Sequence, residues 1–285
     1  MIISPIFYMG NKKKLIQKGL IDLFPNNIHT FYDLFCGSGI VTMNTEAISY
    51  EVNDINNNIT DLIQYFCYYK PEEIIHRIDK LIERYELPTF STDVRKYKGD
   101  RDIFKSKYNK LRDDYNKTKS VELLYVLNIF SNSHMIRFNS NGDFNMPFGN
   151  GYFTEDAKKA IIQNNYEKII YINHSDFREY KRREFEKDDF IYLDPPYLDT
   201  TATYNENGGW TMQDENDLHM FCDDLTNRNI KWGMSNVYEN KGIINEQLKQ
   251  WQENKGYRVH CFDDFTYCSC GKGNSNTKEV FIMNY

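Results

Sequence analysis

An open α/β sheet interrupted by an inserted, mainly helical module is the fold class this sequence predicts, on two observations. Short apolar runs bounded by turn residues alternate with longer helical patterns, as expected of strands joined through crossover helices. Between about residues 85 and 165 that alternation stops: strand signals fade, charge rises, and an apolar LLYVLNIF run leads into polar, Gly- and Asn-rich sequence. The predicted division is therefore a sheet domain from 1–84 and 166–285 and a module from 85–165.

Strands are expected at HTFYDLF (29–35), AISYEVN (47–53), KIIYIN (168–173), DFIYLD (189–194), IKWGMSN (230–236) and KEVFIMN (278–284), each short, apolar and rich in β-branched or aromatic residues. Helical periodicity covers Lys12 to Leu23, Asn57 to Tyr69, Glu72 to Tyr85 and Gln213 to Asn227. There is no internal repeat and no low-complexity linker.

Composition excludes several classes. With 285 residues, 40% hydrophobic and 27% charged, the chain suits a soluble globular protein with a full-sized core. No apolar run approaches the ~20 residues needed to cross a bilayer. Met1 to Tyr8 is apolar but short, and the lysine cluster follows it, the wrong order for a signal peptide. A cytoplasmic protein without a membrane partner is expected. The six cysteines are scattered, so reduced thiols are expected. His260, Cys261, Cys268 and Cys270 cluster, but as HC and CSC rather than C-x-x-C pairs, which favours a strand end over zinc. No metal is expected. The net charge of −6 argues against a nucleic-acid partner only for the whole chain, since residues 95–119 carry ten basic and four acidic side chains. Alone, that stretch reads as a solvated helix face.

Two motifs carry chemistry. Asp33-Leu34-Phe35-Cys36-Gly37-Ser38-Gly39 closes a strand, and its glycines allow a sharp turn and close approach to a ligand at the carboxyl edge of a sheet. Asp54, closing the next strand, can accept both hydroxyls of a ribose. Together they point to an adenosine-containing cofactor, with NAD and S-adenosylmethionine both open. The second motif is Asp194-Pro195-Pro196-Tyr197 after an apolar strand. Two prolines fix the backbone and remove two donors. The turn can thus aim the Asp194 carboxylate and the Pro195 carbonyl at one amine, with the Tyr197 ring as a flat face for a planar base. Read blandly, it is a strand-terminating turn with an incidental aromatic.

D-P-P-Y preceded by D-L-F-C-G-S-G resembles the amino-methyltransferases of DNA, and specifically the Dam-like adenine-N6 group. Tyr8-Met9-Gly10-Asn11-Lys12 comes first, as in that group, and the module's segments 111–118, 135–139 and 141–149 are similar to its phage branch. The resemblance covers nearly the whole chain. It implies a Rossmann-like class I methyltransferase sheet whose last strand is antiparallel, S-adenosylmethionine as cofactor and double-stranded DNA as partner. Tyr8, Lys12, Asp33, Phe35, Gly37, Ser38, Gly39, Asp54, Asp176, Phe177, Asp194 and Tyr204 would hold the cofactor. Asp194, Pro195, Pro196 and Tyr197 would be catalytic. Without it, Lys12 is one of a solvated lysine run, Asp176 a helix N-cap and Cys36 a small buried residue; the last reading stands with it as well.

An adenine inside a duplex must be extruded before its N6 can reach a cofactor. Ser133, Met135, Arg137, Asn139 and Pro147 would face DNA, Arg137 suiting a guanine edge and Met135 and Pro147 a thymine methyl. GATC is the expected recognition sequence, although Asn150-Gly151 stand where relatives carry a basic residue or an Arg-Tyr pair. A cytosine-N4 enzyme would usually carry Ser in place of Asp194, and an RNA or protein methyltransferase an unrelated module. A catalytically silent DNA-binding regulator is the alternative of a different class. The sequence leaves the oligomeric state open, a monomer included.

Overall fold

The computed structural model describes residues 1–89, 98–149, 151–198, 209–240, 242–266 and 276–285. They form two compact units, one of Met1–Asn11, Gly37–Met43 and Asn56–Ile169, the other of Lys12–Cys36, Asn44–Ile55 and Ile170–Tyr285.

The second unit holds the sheet. Its strands are β1 (Ile28–Asp33), β2 (Ala47–Asn53), β3 (Tyr171–Asn173), β4 (Phe190–Leu193), β5 (Lys231–Asn240), β6 (Ile243–Ile244), β7 (Arg258–Thr266) and β8 (Asn276–Met283). They lie in the order β3-β2-β1-β4-β5-β8-β7, with β6 beside β5. Pairing from β3 through β5 is parallel, while β8 runs antiparallel to both β5 and β7. The expected α/β class and antiparallel last strand are thus both present. β4 is buried at every position because a central parallel strand is covered on both faces. The chain leaves β1 toward β2 and β3 on one side and returns through β4 to the other. That reversal is a topological switch point, and Asp33 of β1 lies in register with Tyr192 of β4 beside it.

Several elements differ from expectation. The helix expected from Lys12 to Leu23 is α1 (Lys13–Gln17) and a separate 3-10 turn (Ile21–Leu23). Gly19 takes φ +92°, and the Gly19 and Leu20 amides bond back to Ile16 and Leu15, a Schellman stop. The strand expected from Lys168 begins at Tyr171, since Tyr166–Lys168 form a 3-10 turn. β7 runs where the sequence suggests only a strand end near His260.

Unit one contains α2 (Ile40–Asn44, whose last residue belongs to the sheet unit), α3 (Asn57–Tyr68), α4 (Pro71–Arg84), α5 (Lys98–Thr118), α6 (Val121–Phe130) and α7 (Glu155–Gln163). α4 shows why these segments are helical. Pro71 opens it, Glu72 and Glu73 meet the positive end of the helix dipole, and Ile74, Ile78 and Ile82 make one buried stripe. α6 is apolar nearly all round and is buried from Leu123 to Phe130. The sheet unit adds α8 (Met212–Asn227), opened by a Thr211–Asp214 capping box, and α9 (Glu246–Lys255), ended by Gly256 at φ +69°. Its core gathers Leu34, Phe177, Ile191, Leu193, Phe221, Trp232 and Ile282. Among the described residues no helix is long and apolar enough to cross a membrane.

Candidate active site

In the sheet unit, β4 delivers the D-P-P-Y turn. Lys12 Nζ lies 2.7 Å from Asp194 Oδ2, with 7% and 16% of the two side chains exposed, and 5.2 Å from the centre of the Tyr197 ring. Lys13 and Lys14 are exposed, so the solvated-run reading holds for them and fails for Lys12. Burial alone would lower the Lys12 pKa, but Asp194, Tyr192 and Glu279 outweigh it and raise it, keeping the ammonium charged. Burial raises the Asp194 pKa above the ordinary carboxylate value, while Lys12 and the Tyr197 hydroxyl pull it back in part. Removing either member of such a pair strands a charge in low dielectric.

Glu279, on β8, belongs to this cluster and was not foreseen. It is 1% exposed, and burial pushes its carboxyl up to about 7, with Lys12 lowering it and Asp194 raising it. Its only sequence signal is a lone acid in an apolar strand, KEVFIMN.

The ends of β1 and β2 supply the second cluster. Asp33 and Asp54 are buried, at 1% and 8% exposure. Between them electrostatically sits Cys36, whose thiol is pushed far up by burial and by both carboxylates, so it is a small buried residue and not a nucleophile. Asn53 ties the turns together. Its Nδ2 donates to the Leu34 and Ser175 carbonyls at 3.1 and 3.0 Å, and its Oδ1 accepts from the Ser175 amide at 2.9 Å. Asp176 caps the 3-10 turn Phe177–Arg182 through the Arg178 amide and pairs with the Arg178 guanidinium, so the N-cap reading describes its geometry. Phe35 and Phe177 pack 5.6 Å apart, and Trp210 meets them at 5.9 and 5.8 Å. The Trp210 indole donates to the buried Glu215 at 2.6 Å. Sequence reasoning singled out neither Trp210 nor Glu215. Tyr204 lies outside the described residues.

The remaining cofactor candidates belong to the helical unit. A Cβ on Gly37, at φ +47°, would stand 2.7 Å from Tyr8 Cε1, and one on Gly39, at φ +65°, 2.9 Å from Tyr166 Cε1. Only glycine meets both demands, a left-handed backbone and contact with a ring. The Ser38 carbonyl accepts from the Ser4 and Tyr166 hydroxyls at 2.9 and 2.6 Å, which fixes the turn.

The DNA candidates follow α6. Arg137 Nε donates to Asn145 Oδ1 at 2.8 Å. Asn139 closes a tight turn, its Oδ1 accepting the Asn141 and Asp143 amides at 3.0 and 2.9 Å. Ser133 and Pro147 are exposed, and Met135 is half-buried. Asn150 lies outside the described residues, but Gly151 has a steric reason: a Cβ there would stand 2.5 Å from the Ile129 carbonyl oxygen. On α5, Lys107 pairs with Glu86, and just after it Lys119 pairs with Asp143, while Arg101, Lys105, Lys110 and Lys117 of the helix are exposed. Cys268 and Cys270 lie outside the described residues, and among the described residues no His, Cys, Asp and Glu group could hold a metal.

A profile of the D12 class of N6 adenine-specific DNA methyltransferases matches residues 8–260, a span that takes in both motifs and the helical module. The chain belongs to this family. It is 33% identical over 294 residues to the modification methylase StsI of Streptococcus sanguinis, covering 99% of this chain and 43% of that protein. Identity is also 33% over 292 residues to the type II methyltransferase M.FokI of Planomicrobium okeanokoites, with 99% and 43% covered. A DNA adenine methylase of Haemophilus influenzae is 30% identical over 208 residues, 70% of this chain and 66% of that protein. The chain thus spans about two fifths of the length of the first two relatives. Relatives of this D12 chain therefore include both modification methylases and Dam-type enzymes. The family implies S-adenosylmethionine as methyl donor. The sheet unit's donor set suits such a group: a buried carboxylate at the end of β2 and an aromatic cluster of Phe35, Phe177 and Trp210 at the ends of the neighbouring elements.

Proposed function

We propose that this protein transfers a methyl group from S-adenosylmethionine to the N6 amine of an adenine flipped out of double-stranded DNA. The observation that carries the reading is the 2.7 Å pair between the buried Lys12 and the half-buried Asp194 at the head of a proline-locked turn. Lys12 engages one oxygen of Asp194 and so fixes the direction of the carboxylate. Asp194 and the Pro195 carbonyl accept the two N–H bonds of the amine, Pro196 keeps the turn rigid, and Tyr197 stacks on the base. Holding both N–H groups draws the nitrogen toward tetrahedral geometry and makes its lone pair available. The bound cofactor supplies an electrophilic methyl. The chain's contribution is positioning and electrostatic preorganisation.

In this reading Asp54 takes the ribose hydroxyls, Phe35, Asp176 and Phe177 the adenine ring, and Tyr8, Asp33, Gly37, Ser38 and Gly39 line the rest, with Tyr204 after the D-P-P-Y turn. Residues 1–84 and 166–285 form the catalytic domain and 85–165 the recognition domain. Ser133, Met135, Arg137, Asn139 and Pro147 face the bases, and the exposed cations of α5 contact phosphates. GATC is the sequence to test first, as the resemblance of segments 135–139 and 141–149 to the Dam-like group implies. The names of the relatives, modification methylase and type II methyltransferase, support a modification role.

The test is single-molecule sequencing of methyl-free DNA after incubation with protein and cofactor, beside an Asp194→Ala control. Adenine marks made by the wild type and not by the variant are the expected result. Marks on cytosine alone end the adenine reading, and adenine marks outside GATC replace only the recognition sequence. DNA binding with no marks under any condition makes the chain a silent binder.

A further inference from the structure

Resting on the methyltransferase reading, we propose that Asn128 is a positioning residue that joins the cofactor-side segment Phe7–Tyr8 to the DNA-side segment Ser133–Asn139, so that either ligand strengthens binding of the other. All of these residues lie in the helical unit. Asn128 is the one amide in the apolar run LLYVLNIF and is 0% exposed. A buried amide is costly unless its bonds are made, and here every side-chain donor is used. Its Oδ1 accepts the Phe7 amide at 3.1 Å, and its Nδ2 donates to the Phe7 carbonyl at 2.9 Å and the His134 carbonyl at 2.7 Å. The side chain thus grips both main-chain groups of Phe7, as a neighbouring strand would, and holds His134 in the same grip. The His134 ring stacks on Phe7 with centroids 4.4 Å apart and planes 20° from parallel, and its Nδ1 lies 3.2 Å from the Asn128 carbonyl oxygen.

Each end of this link meets a candidate contact. Tyr8 follows Phe7 directly and lies against Gly37. Ser133 and His134 hold φ of 56° and 54°, two successive non-glycine residues in the left-handed region. Such a backbone is strained and persists only where its surroundings fix it. The Asn128–His134 bond, the Ser131 hydroxyl on the Met135 carbonyl and the Asn132 amide on the Pro147 carbonyl provide that constraint. A ligand that orders one end of a shared rigid element spares the second ligand that entropy. A purely structural amide would instead set stability and leave the two affinities independent.

The experiment measures S-adenosylhomocysteine affinity by calorimetry, with and without a duplex carrying a site that the wild type methylates. The proteins are wild type, Asn128→Asp and His134→Ala. Asn128→Asp keeps the acceptor for the Phe7 amide and removes both donors; His134→Ala removes the stack from a half-buried position and serves if the first variant does not fold. The wild type should bind the ligand about ten-fold more tightly with DNA present, and each folded variant by less than about two-fold. Variants that keep the wild-type ratio overturn the proposal, however far their stability falls, as does a wild-type ratio of one. A wild type that binds no S-adenosylhomocysteine removes the methyltransferase reading with it, whereas variant failure beside an active wild type touches only Asn128.

Discussion

The strand-end cluster around Asp194 and the loop from Ser131 to Gly149 are held in place by opposite means. Asp194, Lys12 and Glu279 are buried or half-buried ionisable groups, placed by the end of the parallel strand β4, the chain before α1 and the antiparallel strand β8, and their charges are compensated by one another. Arg137, Asn139 and Asn145 are partly exposed polar groups fixed by side chain to main chain and side chain to side chain hydrogen bonds. Chemistry demands fixed geometry in low dielectric, which strand ends supply. Base recognition demands polar edges that reach solvent, which a braced loop supplies.

Four substitutions and one titration test this contrast. Lys12→Met leaves Asp194 buried without its partner and should lower stability in urea by about 3–5 kcal/mol, partly restored by adding Asp194→Asn. A loss within error of zero would mean that the pair is already solvated. Asp194→Asn alone should cut kcat for methyl transfer on the order of 10²–10³-fold, as removal of one preorganised polar group does. Arg137→Ala should cost about 1–3 kcal/mol in discrimination between duplexes while leaving the urea midpoint in place. A fall in stability there would erase the difference between the two regions.

The titration concerns Glu279, whose folded pKa of about 7 lies above the ordinary 4.5. A carboxyl raised on folding contributes stability that is present below its unfolded pKa and lost as pH climbs through its folded one. Between pH 4.5 and about 7, therefore, the wild type should lose stability relative to Glu279→Gln. Parallel curves would show that folding leaves the Glu279 pKa unshifted. The smallest effect is expected on α5, where Lys105→Ala should reduce the salt slope of DNA binding by about one without changing sequence preference.

Much of the fold was legible because periodicity is local. Alternation and turn residues mark β1, β2, β4, β5 and β8, and α4 shows its buried isoleucine stripe in the sequence alone. α1 and β3 came out shorter because their ends are set by the Gly19 stop and the Tyr166–Lys168 turn, which hydrophobic pattern does not encode. The candidate site was legible where a motif concentrates it, as in Asp194-Pro195-Pro196-Tyr197. Trp210, Glu279 and Asn128 were not, because each gains meaning from a partner distant in sequence.

The α/β class, the two motifs and the family are readable from the chain alone, since these depend on residue types at short spacing. Tertiary structure alone decided that Lys12 is buried against Asp194 and not solvated with Lys13 and Lys14, that Glu279 joins them, and that Asn128 holds Phe7 and His134 together. The reason is physical: burial and charge compensation are properties of neighbours in space, and the chain brings those neighbours together only once the sheet and α6 have formed.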